Sequence, residues 1–157
     1  MTHTTNPSVT VQNLEAAFAG ESMAHIKYRY FAKIAREMGD TATADIFEAT
    51  ADQEVMHAFG HLDLLYPKAQ MTPAKALQLA IEGETYEFTT MYPDFKRAAE
   101  IEGHTSAALE AIHQIEESKE HADQFAQVLA KAEKRFAALQ KVEQRHAQAY
   151  QQVLENL

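Results

Sequence analysis

Ala51-Asp-Gln-Glu-Val-Met-His-Ala58 decides how this chain folds. Glu54 and His57 stand one helical turn apart, and both fall on the stripe that also carries Ile46, Phe47, Thr50, His61 and Leu65. Residues three and four apart share a helix face, so an acid and an imidazole are turned toward the side that ought to be dry. A buried carboxylate is costly unless it is paired, hydrogen-bonded or bound to a cation. Other stripes are interrupted in the same way, by Glu21, by Glu84 and Glu87, and by the pair Glu143–His146.

Working outward, the flanking segments read as helices with marked ends. Leu14, Ala17, Phe18, Glu21, Ala24, Tyr28, Phe31 and Ile34 recur at three- and four-residue spacing, which predicts a helix from Val11 to Met38 stopped by Gly39. Asp40-Thr41 caps a second helix that reaches Leu65 and ends at Tyr66-Pro67. Thr72-Pro73 opens a third, with Leu77, Ala80, Ile81, Glu84, Glu87, Phe88, Met91 and Phe95 inward and Pro93 expected to kink it. Gly103 ends that helix. Residues 106–157 contain neither Gly nor Pro, so they form one long helix or two with a break near 130–132. Residues 1–10 read as a flexible tail and 11–157 as one domain.

Composition removes several classes of function. The chain has 157 residues, 5 Gly, 4 Pro and a formal charge of −9. That balance favours an all-α domain and disfavours nucleic acid, whose phosphates need a basic face. With no cysteine, disulfides, thiolate catalysis, iron–sulfur clusters and Cys-ligated metals are excluded. No apolar run is long enough to span a membrane and no signal peptide is apparent, so a cytoplasmic location is expected.

A Glu-x-x-His pair alone says little in a chain with eight histidines, and Glu110–His113 is read as solvated background. Register lifts the other pairs. Gly39 lies 18 residues after Glu21 and 18 before His57, so a hairpin folded there brings Glu21 level with Glu54 and His57. Glu84 and Glu87 offer two more carboxylates from one turn. Several inward acids require cations, and oxygen donors with a few imidazoles suit iron or manganese. Inward Glu residues with Glu-x-x-His on facing helices are the ligand pattern of di-iron and di-manganese bundles.

Four stretches together resemble the rubrerythrin family: Asn13-Leu-Glu-Ala-Ala-Phe-Ala-Gly-Glu-Ser-Met-Ala-His25, Ala51–Ala58, Glu82-Gly-Glu-Thr-Tyr-Glu-Phe88 with Met91-Tyr-Pro-Asp-Phe95, and Lys141-Val-Glu-Gln-Arg-His-Ala147. The resemblance implies a ferritin-like four-helix bundle with an additional or extended C-terminal helix and a centre of two iron ions, manganese or mixed metal remaining open. It implies Glu21, Glu54, Glu84, Glu87, Glu143 and His146 as ligands, with His57 exchanging for Glu87 on reduction. Tyr28 and Tyr92 match tyrosines beside the cluster. The implied activity is reduction of hydrogen peroxide to water, with a ferroxidase or iron store as the alternative; an all-helical interaction module is a third reading. Many members of the family carry a rubredoxin-like domain with four cysteines. None is present here, so electrons are expected from a separate rubredoxin-like protein.

Motif and counting disagree at one place. Measured from Gly103, the position level with Glu84 falls at Ser118–His121, which leaves His121 with Glu117 or Glu120 as the competitor to Glu143–His146. The connector raises a second question. In a ferritin-like bundle the second and third helices run parallel. From Leu65 to Pro73 the chain spans at most about 29 Å, whereas a 26-residue helix is about 39 Å long. A homodimer with exchanged helix pairs resolves this; an all-antiparallel bundle would too, at the expense of the family topology.

Overall fold

The computed structural model describes residues 8–156, and the regular structure among them is all helical. In order come α1 (Val9–Glu37), α2 (Thr41–Leu65), a 3-10 turn at Lys68–Gln70, α3 (Pro73–Tyr86), a π-helical turn at Glu87–Met91, α4 (Tyr92–Glu102) and α5 (Thr105–Glu155). Among the described residues, no helix is long and apolar enough to cross a membrane. The chain divides into two compact units, one through Met71 and the other from Thr72, and each is a helical hairpin.

In the first unit, the Ser8 hydroxyl accepts a hydrogen bond from the Val11 N–H at 3.3 Å and caps α1. The helix therefore begins at Val9, and Val9 and Thr10, placed in the tail by the sequence reading, belong to its first turn. Residues 1–7 of that expected tail lie outside the described residues. Gly39 takes a left-handed backbone with φ of 83°, and Asp40 restarts the chain by accepting from the Thr43 N–H at 3.0 Å. That bond to the charged form holds the Asp40 carboxyl below its usual value. Across the tip, Arg36 bridges Asp45 at 2.9 Å and Glu48 at 2.6 Å.

The seam between α1 and α2 is lined with alanine. Ala32, Ala44 and Ala51 are almost wholly inaccessible, and Ala35 and Ala58 are buried beside them. Methyl side chains let the two backbones approach closely, so the bulkier residues are displaced to the flanks. This corrects the inward positions expected for Phe31, Ile34 and Ile46, all of which are exposed. Phe47 packs against the alanines, with the rings of Tyr28 and Phe31 at 5.8 and 5.5 Å from its own.

In the second unit, the Thr72 hydroxyl accepts from the Lys75 N–H at 3.1 Å and Pro73 opens α3, as the cap pattern predicts. Pro93 has no N–H to donate, and the helix answers with a widened turn just before it. The Tyr92 N–H reaches back five residues to the Glu87 carbonyl, the signature of π-helix. Gly103, with φ of 78°, reverses the chain into α5, a single helix of 51 residues without a break near 130–132. Its first half packs through Ala108, Ala111, Ser118 and Ala122.

Gly103 tests whether the reversals carry stability. A Cβ placed there would meet no atom within 4 Å, so the cost of Gly103→Ala is the left-handed backbone alone. A loss of about 1–2 kcal/mol is expected from urea denaturation. An unchanged midpoint would show that the turn relaxes freely.

Candidate metal centre

The first hairpin brings one carboxylate from α1 together with a carboxylate and an imidazole from α2. One ligand atom each of Glu21, Glu54 and His57 all lie within 4.8 Å of one another. His57 Nδ1 is 2.9 Å from a Glu54 oxygen and 3.9 Å from a Glu21 oxygen. The Glu54 side chain is only 17% exposed, whereas that of His57 is 59% exposed. His57 thus departs from the inward placement read from its stripe, because it stands at the margin of a two-helix seam. The sequence reading also missed His25. Its Nδ1 lies 2.8 Å from the Ala51 carbonyl oxygen; a carbonyl only accepts, so that nitrogen carries the proton and donates. The bond ties α1 to the turn of α2 that precedes Glu54.

The second hairpin supplies a related set. Glu84 near the end of α3 and Glu87 at the start of the π turn meet α5, where His121 Nδ1 is 3.5 Å from Glu84 and the Ser118 hydroxyl donates to Glu87 at 2.9 Å. Ser118 is buried, with 3% of its surface accessible. Tyr92 follows the widened turn. Burial, and then the negative charges of Glu87, Glu110 and Glu84, push its phenol above the usual value. Tyr28, the other expected tyrosine, packs at a tilt against Phe47 in the first hairpin.

The two sets share a pattern. Glu54 and His57 stand 15 and 18 residues after Gly39, and Ser118 and His121 stand 15 and 18 after Gly103. Glu21 precedes Gly39 by 18 residues and Glu84 precedes Gly103 by 19. The π turn, which lies between Glu84 and Gly103, absorbs the one extra residue. Ser118 is therefore the counterpart of Glu54, with a hydroxyl where the first hairpin has a carboxylate.

Glu143 and His146 are not brought to this set. They lie 25 residues beyond Ser118 and His121 on the same continuous helix, about 37 Å along its axis. Their side chains are 75% and 58% exposed and face each other at 3.8 Å. Within the second hairpin it is His121, and not Glu143 or His146, that stands beside Glu84. Glu117 pairs with His113 at 3.6 Å and Glu120 is exposed.

The donors present in the two hairpins are carboxylates and imidazoles, a set that suits iron or manganese. The Rubrerythrin family profile matches residues 12–129. The chain belongs to the rubrerythrin family. It is 39% identical over 110 residues to nigerythrin of Nitratidesulfovibrio vulgaris, covering 62% of this chain and 54% of that protein. Over 141 residues it is 33% identical to rubrerythrin-1 of Clostridium acetobutylicum, covering 79% of this chain and 71% of the relative. Over 150 residues it is 35% identical to a putative rubrerythrin of Methanocaldococcus jannaschii, covering 82% and 72% respectively. The chain thus spans little more than half of nigerythrin. Rubrerythrins are di-iron proteins of ferritin-like helical fold, and the four helical stretches here are α1, α2, the interrupted α3–α4 and the extended α5. The matched region contains every residue of the two sets and ends before Glu143.

The raised phenol of Tyr92 has an alkaline consequence. Unfolded, Tyr92 ionises near 10.0; folded, it keeps its proton to higher pH. The stability it contributes is therefore complete below the unfolded value and is lost as pH rises through the folded one. Urea midpoints of wild type and Tyr92→Phe measured across the alkaline range should diverge, the wild type falling more steeply. Parallel curves would remove the electrostatic link between Tyr92 and the glutamates.

Proposed function

We propose that this rubrerythrin is a peroxidase that reduces hydrogen peroxide to water at a di-iron centre, drawing electrons from a separate rubredoxin-like donor. The observation that carries the reading is the convergence of Glu21, Glu54 and His57 ligand atoms within 4.8 Å. The centre would be held by Glu21, Glu54 and His57 from one hairpin and Glu84, Glu87 and His121 from another. When bound, two ferrous ions supply the two electrons that the cleavage of the peroxide O–O bond consumes. The protein's own groups prepare that chemistry. Ser118 donates to one oxygen of Glu87 and so limits its rotation. The Tyr92 phenol, kept protonated beside Glu84 and Glu87, remains a hydrogen-bond donor. His57, mostly exposed and held only by Glu54 and Glu21, is the ligand with room to swing.

A homodimer with exchanged hairpins completes the proposal. The alanine seam leaves Met23, Ile26, Met56 and Phe59 more than half exposed, and a two-helix hairpin is marginal without further apolar cover. The segment between Leu65 and Pro73 also spends three residues on a 3-10 turn, so it reaches even less far than an extended chain. It cannot run the length of α2, which at 25 residues measures about 37 Å.

Anaerobic loading with ferrous iron tests the function. Two irons per chain are expected, oxidised rapidly by one equivalent of peroxide and slowly by oxygen. Faster reaction with oxygen and growth of a ferric mineral would sink the peroxidase reading and favour a ferroxidase. Separately, Glu54→Ala and His121→Ala should each reduce the iron retained after gel filtration. Ser118→Glu, which restores the carboxylate present at the equivalent place in the first hairpin, should tighten manganese binding about tenfold. No change in affinity would mean that position 118 does not face the metal.

A further inference from the structure

Within the second unit, the second half of α5 extends beyond its partner helices. Pro73 lies 30 residues before Gly103, so an antiparallel partner running from Pro73 to Glu102 can flank α5 only to about Glu133. From Glu133 to Asn156 every residue except Val142 is exposed. This arm is about 34 Å long. It is nevertheless patterned as if for burial. Along the first half of α5 the residues that turn inward are Ala108, Ala111, Ile115, Ser118, Ala122 and Phe125, at alternating steps of three and four. The same alternation continues without a phase shift through Phe136, Leu139, Glu143, His146, Tyr150 and Val153. The apolar members of that continuation are 57–71% exposed. The opposite face carries Lys134, Lys141, Arg145, Gln148 and Gln152. A strict seven-residue repeat is the pattern of a helix that coils around another helix of the same period.

We propose that this arm pairs antiparallel with the same arm of a second copy of the chain. The stripe reads almost the same in both directions about its Glu143–His146 centre. In antiparallel register, Leu139 meets the second copy's Tyr150, Phe136 meets its Val153, and Glu143 meets its His146. A parallel pair would instead set two Glu143 carboxylates in one layer of a closing apolar seam, where like charges repel. Charge complementarity therefore selects the antiparallel orientation, and the Glu143–His146 layer fixes the register because any slip buries an acid against an apolar residue. This assigns a role to the Glu-x-x-His motif that the hairpin geometry leaves outside the metal set. It also does not depend on the peroxidase reading.

The full chain supplies the test. Leu139→Asp lies on an exposed stretch, so circular dichroism should be unchanged while the particle mass from sedimentation equilibrium falls to half that of wild type. The exchanged dimer is built from the hairpins and survives this substitution. Equal masses, with no linkage of Leu139→Cys to Tyr150→Cys under mild oxidation, would overturn the pairing. Orientation is read separately, because the chain has no cysteine and introduced ones report without background. Leu139→Cys mixed with Tyr150→Cys should form disulfide-linked pairs under mild oxidation, and neither should do so alone. Self-linkage of Leu139→Cys would mean a parallel pair and defeat the proposal. Glu143→Gln and His146→Gln should leave iron per chain unchanged; a lower iron count would identify them as ligands and overturn the arm's role.

Discussion

A helix can reverse within two or three residues only if one of them enters the left-handed region, where a Cβ clashes with the backbone. Gly39 and Gly103 meet that requirement in the two hairpins, and the rest of the site depends on them. Once the reversal is placed, each residue on one arm has a fixed opposite number on the other. Glu21 comes level with His57, and Glu84 with His121, because they stand nearly equal distances from their glycines. The clustering of these acids and imidazoles is thus a consequence of where two turns fall.

Alanine makes the counting strict. Ala32, Ala44 and Ala51 bring the helices of the first hairpin so close that the carboxylates beside the seam have little freedom to slide. Close approach also limits the apolar area each hairpin can hide. Larger side chains such as Met23, Ile26, Met56 and Phe59 are left outward. Small residues confer register, and the large ones flank the seam.

The second hairpin departs from the first in two linked ways. Pro93 removes one backbone donor, and the helix widens into a π turn that accommodates one additional residue between Glu84 and Gly103. Without that turn, Glu84 would be rotated away from His121. Ser118 then replaces the carboxylate of Glu54 and donates a hydrogen bond to Glu87 instead. The two hairpins share a plan but offer different groups, two carboxylates and an imidazole in one and a hydroxyl in place of a carboxylate in the other.

The helices, the caps at Asp40 and Thr72, both glycine stops and the acids that interrupt the stripes were legible in the sequence, because capping, left-handed turns and helical period act over a few residues. Glu21, Glu54, His57, Glu84 and Glu87 could be singled out for the same reason. The alanine seam was not legible, since periodicity marks large apolar residues as inward even where close backbone approach pushes them aside. Nor was it legible that His121, and not Glu143–His146, would stand across from Glu84. A motif is recognised by its own four residues, whereas a ligand is chosen by what stands across from it. That depends on a turn-to-site count, which a π turn shifts by one, and on a helix that continues straight where a break would have folded it back. Those are long-range facts of packing and backbone hydrogen bonding, and only the tertiary structure decided them.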